Sequence, residues 1–234
     1  MALIGAPGNS LVSVNLSNGD RTLVASLGAV NQPRNLQLDV GANRVYFTDN
    51  DNSATDNDAL YAIDLGTSVR TTISNSSVGS GQRFALPTRF VLDPQTNATR
   101  ALLAVGAGTG TSPAILQVNL ATGNRSIAIP NSSGLGIPFT LPGALVHDVA
   151  NSRLLGINLG PPQHVFAAAL PFSSRQLISG TNVDYTVRGT GPLQHFASGM
   201  AVDLAAGIAF LVSADSLAVY AVDLSSGDRV YISR

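Results

Sequence analysis

The chain has 234 residues with a formal net charge of −1; every one of its 14 acids is Asp and every one of its 13 bases is Arg. A near-neutral chain with its arginines spread one or two per segment is excluded as a nucleic-acid surface, which needs clustered cations against phosphates. The absence of Cys excludes disulfides, thiolate zinc sites and cysteine nucleophiles, while leaving the compartment open.

Without Glu or Lys, and with 23 Gly and 12 Pro among many Val, Leu, Ile and Thr, the composition predicts short strands and many turns. Met1 is followed by Ala-Leu-Ile-Gly-Ala-Pro with no basic n-region, so no signal peptide is expected there. Residues 2–26 read as three strands. The middle one, Leu11-Val-Ser-Val-Asn-Leu16, recurs without gaps as Leu60-Tyr-Ala-Ile-Asp-Leu65, Ile115-Leu-Gln-Val-Asn-Leu120, Val165-Phe-Ala-Ala-Ala-Leu170 and Val219-Tyr-Ala-Val-Asp-Leu224. Five positions after each final Leu stands an Arg, at Arg21, Arg70, Arg125, Arg175 and Arg229, and a second apolar run follows. Strand, short Gly-containing turn and strand make a β-hairpin.

A second hairpin precedes the first in each later unit. Its leading strand carries Asp39, Asp93, Asp148 or Asp203, with Pro33, Pro87, Pro142 or Ala197 six residues earlier. The strand after it is apolar, as in Arg44-Val-Tyr-Phe-Thr48 and Ile208-Ala-Phe-Leu-Val212. The apolar stretch from Phe196 to Ala214 contains Asp203 and Gly207 and fits two such strands rather than a membrane span. Four strands in a unit of about 50 residues, apolar on both faces and unable to stand alone, predict an all-β fold, a β-propeller. We expect one domain over 1–234, with four full blades at 32–83, 84–136, 137–191 and 192–234 and a three-stranded partial blade in 1–31. The strand needed to complete the partial blade is not found after Arg234, so the chain is expected to be part of a longer ring of about six blades.

The lead-in of Pro, small residues, apolar and Asp, followed by apolar-Asp-Leu-x-x-Gly-Asp-Arg, resembles the repeats of TolB-like, NHL and SMP-30-like propellers along essentially the whole chain. That resemblance implies a periplasmic, secreted or cell-surface setting. It implies a binding face formed by the loops between blades together with those joining second and third strands. The inter-blade stretches Asn75–Thr88, Asn131–Pro142 and Gly180–Ser198 are therefore candidate walls of a site. Lactonases of the SMP-30 type hold a divalent metal with Glu, Asn and Asp; this chain has no Glu, and its inner strands begin with Asn35, Arg89, Ala144 and Gly199.

The residues suggest a few candidates for chemistry. Asp49, Asp51, Ser53 and Thr55 place oxygens at alternate positions, like the start of a calcium loop, although Ala54 and Leu60 stand where Gly and Glu belong. A calcium ion is thus the candidate cofactor. Arg89, His147, His195 and Asn35 are candidate ligand contacts on the channel and loop face: Arg89 for an anion, the histidines for a metal or for acid–base work. Asp39, Asp93, Asp148 and Asp203 recur too regularly for catalysis and are expected to hold turns. The hairpin arginines are expected to pair with Asp or carbonyl groups within or between blades. No catalytic residue set is found. The function expected is a non-enzymatic binding or scaffold module presenting a loop face to a protein, peptide or glycan, with neither nucleic acid nor a membrane span. The alternative is a metal-dependent hydrolase or lactonase of the SMP-30 or strictosidine-synthase-like kind.

Overall fold

A computed structural model describes residues 2–6, 9–50, 58–96, 99–108, 111–131, 136–138, 140–169, 174–181, 186–192 and 197–233. Five antiparallel sheets follow one another along the chain, each a meander of consecutive strands. The first has three strands, β1 (Ala2–Ala6), β2 (Ser10–Val14) and β3 (Arg21–Ser26). The second holds β4 (Pro33–Asp39), β5 (Arg44–Asp49), β6 (Ala59–Asp64) and β7 (Arg70–Ser74). The third holds β8 (Pro87–Leu92), β9 (Arg100–Val105), β10 (Ala114–Asn119) and β11 (Arg125–Pro130). The fourth has five strands, β12 (Pro142–Asp148), β13 (Arg153–Asn158), β14 (His164–Ala169), β15 (Arg175–Thr181) and the short β16 (Val187–Arg188). The last holds β17 (Ala197–Asp203), β18 (Ile208–Ser213), β19 (Ala218–Asp223) and β20 (Arg229–Ser233). Among the described residues the only helix is a 3-10 turn at Pro94–Thr96. The fold is all-β, four-stranded blades in a propeller arrangement.

The repeat extends to irregularities of the backbone. A bulge falls between Leu11 and Val12, Leu60 and Tyr61, Val165 and Phe166, and Val219 and Tyr220, one repeat position each time. A second bulge interrupts the innermost strand, between Arg34 and Leu36, Pro142 and Leu145, and Ala197 and Gly199. Each bulge bends its strand and strengthens the right-handed twist that a blade needs.

Two compact units divide the chain: Met1–Leu103 with Leu116–Ser126, and Ala104–Ile115 with Ile127–Arg234. In the first unit, Leu11, Ala25, Leu27 and Val30 of the partial blade pack on Val45, Phe47 and Ile63 of the next. In the second unit, Leu155, Ile157, Val165, Ala167 and Ile178 meet Ala209, Leu211, Ala218, Tyr220 and Val222. Burying a side chain of this size contributes about 2 kcal/mol, so two blades sharing such a seam hold what a lone sheet would leave wet.

The four repeated aspartates hold the turn inside the hairpin that leads each four-stranded unit. Asp39 accepts from the Ala42 N–H at 3.0 Å, and Asp203 from the Ala205 and Ala206 N–H groups at 3.1 and 3.0 Å. Asp93 accepts from the Gln95 N–H and also pairs with Arg100 Nε at 2.5 Å. Asp148 accepts from Asn151 and pairs with Arg153 Nε at 2.7 Å. Burial alone would raise the Asp148 carboxyl; the donors of Arg153 and Asn151 outweigh it and leave it below the ordinary carboxylate value.

Candidate functional site

Four of the five hairpin arginines, Arg70, Arg125, Arg175 and Arg229, reach across to the preceding blade or its loop, onto carbonyl and hydroxyl oxygens. Arg125 sends Nε to the Gln82 carbonyl at 2.8 Å, and Nη1 to Ser74 Oγ and the carbonyls of Asn75 and Val78 at 2.5, 2.9 and 3.0 Å. Arg229 repeats this one junction on, with Nε on the Pro192 carbonyl at 2.7 Å and Nη1 on Ser179 Oγ and the Arg188 carbonyl at 2.8 and 3.1 Å. Arg70 reaches the Leu27 carbonyl, and Arg175 those of Pro130 and Ile137. Burial lowers the pKa values of Arg125, Arg175 and Arg229. A guanidinium satisfies so many acceptors because its five N–H groups fan out in one plane.

Within two of the inter-blade stretches expected as walls of a site, 75–88 and 180–198, a short part of the loop is docked on the neighbouring blade. Gly79-Ser80-Gly81 and Gly189-Thr190-Gly191 press against the hairpin turns of the blade that follows them. The Ser80 N–H and hydroxyl donate to Asn124 Oδ1 at 2.9 and 3.0 Å, and those of Thr190 to Asp228 Oδ1 at 2.7 and 2.8 Å. The flanking glycines have positive φ, and a Cβ on Gly79 or Gly189 would collide with the carbonyl of Gly123 or Gly227. Within the stretch 180–198, β16 pairs with β15, Gly180 opposite Arg188, so part of that loop is strand.

The heads of the inner strands β4 and β8, which lie side by side in the first unit, gather two of the expected groups, Asn35 and Arg89, together with Arg34. Asn35 occupies the bulge with φ +49° and donates Nδ2 to the Phe90 carbonyl at 2.6 Å. That side chain is a tie between blades. Next to it the Arg34 carbonyl accepts from the Thr48 hydroxyl at 3.1 Å, and Arg34 Nη2 donates to Gln32 Oε1 at 2.7 Å. Arg89 is half-buried, and its pKa is lowered first by that burial and second by the positive charge of Arg34. Two cations therefore share one neighbourhood. Arg34 did not stand out in the sequence because only the pairing of adjacent inner strands brings it to Arg89.

Asp49, the first of the four expected calcium ligands, ends β5. Its buried carboxylate accepts from the Asn31 N–H at 3.1 Å and the Gln32 N–H at 2.7 Å. Asn158 ends β13 in the same way, its Oδ1 accepting from the Thr140 and Leu141 N–H groups at 2.9 and 3.0 Å. A neutral amide does the work of the carboxylate, so the position demands an acceptor and no anion. Asp51, Ser53 and Thr55 lie outside the described residues, among which no three His or Asp side chains form a metal-binding group.

His147 is buried on β12 opposite Leu154, and His195 lies outside the described residues. His164 opens β14 opposite Asn158, four residues from Leu154 along β13. At the rise of a strand that is a separation of about 13 Å, so His147 and His164 do not meet at one metal. The His164 ring sits edge-on to Phe166, with Nδ1 3.1 Å from the Pro162 carbonyl. Burial pushes its pKa down to about 4. A polar cavity of about 300 Å³, lined by Thr99, Arg100, Gln117, Asn119, Asn124, Arg125 and Ser126, lies at the hairpin end of the third blade, and no single motif announces it.

No protein-family model matches the chain, and neither does any curated protein. Among solved structures it is similar to a chain in a nidogen/laminin complex, with a TM-score of 0.70 and 14% identity over 99% of this chain and 78% of that one. It is also similar to TolB from Acinetobacter baumannii, with a TM-score of 0.61 and 13% identity over 97% of this chain and 50% of that one. At these identities the likeness shows the β-propeller fold.

Proposed function

We propose that the chain is a propeller module that binds a protein or peptide through the heads of its inner strands, with an acidic group of the partner seated against Arg34 and Arg89. The observation that carries this reading is the juxtaposition of those two cations at β4 and β8, where half-burial and mutual repulsion both oppose the charge of Arg89. An anion placed between them relieves both terms, and a partly desolvated guanidinium binds a carboxylate more strongly than an exposed one. The similar chain from a nidogen/laminin complex supports a protein partner, and the likeness to TolB supports a periplasmic, secreted or cell-surface setting.

The test is titration of the chain with a fluorescent oligo-aspartate peptide at low salt, read by anisotropy, beside an oligo-lysine peptide of equal length. Binding of the acidic peptide alone, weakened roughly tenfold by Arg89→Gln or Arg34→Gln and by added salt, supports the reading. Equal binding of both peptides, or affinity unchanged in the double variant, ends it.

A further inference from the structure

The cavity at the hairpin end of the third blade lies wholly within the first unit, and its walls differ from the same repeat positions elsewhere. Asn119 and Asn124 stand where the fifth blade has Asp223 and Asp228. The bonds they make are alike. Asn119 Oδ1 accepts from the Ala121 and Thr122 N–H groups, both at 2.9 Å, as Asp223 Oδ1 does from Ser225 and Ser226 at 2.7 and 2.9 Å. Asn124 Oδ1 accepts from the N–H and hydroxyl of Ser80, as Asp228 Oδ1 does from those of Thr190. The turn and the docked loop need an acceptor at each position, and the third blade supplies it without the negative charge.

The same bonds fix what is left over. Both Oδ1 atoms face backbone donors, so each Nδ2 remains a donor, and neither has a partner among the described residues. Gln117 is oriented likewise: its Oε1 accepts from Arg100 Nη1 at 3.1 Å, and its Nε2 donates to Ser126 Oγ at 2.7 Å. Ser126 Oγ is thus an acceptor within the wall, and its own hydrogen remains to be given. Arg100 is paired with buried Asp93. Among the described residues Arg125 bonds only to neutral oxygens, those of Ser74, Asn75, Val78, Gln82 and Gly123. Burial lowers the pKa of Arg125 and of Arg229, but only at Arg229 does an acid, Asp228, act to raise it.

We propose that this cavity binds an oxyanion, a phosphate or sulfate group, free or carried as the ester of a small sugar. Its walls give donors and positive charge, so the occupant must offer acceptors and negative charge, and hydrogen bonds between such groups are the strong ones. A volume of about 300 Å³ lies at the lower end for small-molecule sites. The site is separate from the pair of cations at Arg34 and Arg89.

The 15N-labelled chain, titrated with glucose 6-phosphate, glucose 6-sulfate, inorganic phosphate and glucose, reads the result in the side-chain amide signals of Asn119 and Asn124. At least one of the three anions should shift them saturably in the millimolar range, and glucose should not. Inorganic phosphate binding as tightly as the ester assigns the site to the free ion, and tighter binding of an ester assigns it to the sugar-borne group. Asn119→Asp/Asn124→Asp restores the acids of the fifth blade and keeps their acceptor bonds, so this variant should fold and lose affinity roughly tenfold or more. Ser126→Ala removes one exposed donor and should weaken binding severalfold. Arg34→Gln/Arg89→Gln should leave the shifts unchanged, which separates this cavity from the site proposed above. Three outcomes overturn the proposal: no saturable shift with any of the anions, equal shifts with glucose, or wild-type affinity in both the Asp and the Ser126→Ala variants.

Discussion

Arg229 Nη1 donates to Ser179 Oγ at 2.8 Å, joining residues 50 apart in sequence, and both side chains are buried. The Ser179 hydroxyl itself donates to the Gly227 carbonyl at 2.6 Å, so the guanidinium, the hydroxyl and the hairpin turn form one chain of hydrogen bonds. Ser74, Gly123 and Arg125 repeat the arrangement. Replacing Arg229 with Met keeps the stem and removes every donor, leaving the Pro192 and Arg188 carbonyls short of partners. At 1–3 kcal/mol for each unsatisfied buried group, urea denaturation should show a loss of about 3 kcal/mol, against about 1 kcal/mol for Ser179→Ala. A loss under half a kilocalorie for Arg229→Met would refute the role given to the seam.

Gly79 and Gly19 have nearly the same backbone conformation, φ +78° and +80°, in opposite surroundings. A Cβ on Gly19 meets nothing within 4 Å, whereas one on Gly79 would collide with the Gly123 carbonyl. Gly19→Ala should therefore lose only the left-handed backbone penalty, about 1 kcal/mol. Gly79→Ala should lose at least twice as much, since the docked loop must lift. Comparable melting temperatures for the two variants would count against the tight docking of loop on hairpin.

Asp49 and Asn158 make the same pair of bonds from the same repeat position. Asp49→Asn should be nearly neutral in thermal stability, while Asp49→Ala strands two backbone donors and should destabilise by roughly 2 kcal/mol. If Asp49→Asn behaved like Asp49→Ala, the negative charge itself would matter and the acceptor argument would fail.

His164 supplies a pH prediction whose sign follows from its depressed pKa. The unfolded chain takes up a proton near the ordinary value of 6.5, the folded chain only near 4. Stability is therefore full above about 6.5 and declines as pH falls through the interval to about 4, by on the order of 3 kcal/mol from this group. His164→Gln should flatten the dependence of unfolding free energy on pH in that window. An unchanged slope would show that the ring does not stay neutral in the fold.

The four-stranded period was legible because it rests on side chains: alternating apolar runs, a turn Gly, and an Arg five residues past each Leu. Carbonyl groups were expected among the partners of those arginines, but which carbonyls was not legible, because a backbone carbonyl leaves no mark on composition. The docking of Gly79 and Gly189, inside stretches expected as candidate walls of a site, was hidden for a related reason. Gly and Ser suit both a loose loop and a loop pressed so close that no Cβ fits, and only the approach to Gly123 and Gly227 tells these apart. Asp49 read as a cation ligand because carboxylates crowd after it; its kinship with Asn158 emerges once β5 and β13 are set in register. At the candidate site, Arg89 was visible at the head of an inner strand, while Arg34 became relevant only when neighbouring inner strands came together.

The seam chemistry bears on how such a chain could arise. Each junction formed between described blades has a plug, the arginine with its hairpin turn, and a receptacle, the loop before it that accepts the plug. A tandem copy of one coding segment thus arrives ready to join its neighbours, and the array can lengthen without a new surface being invented. Drift is then tolerated wherever neither part is involved, which fits blades that share a skeleton and little else.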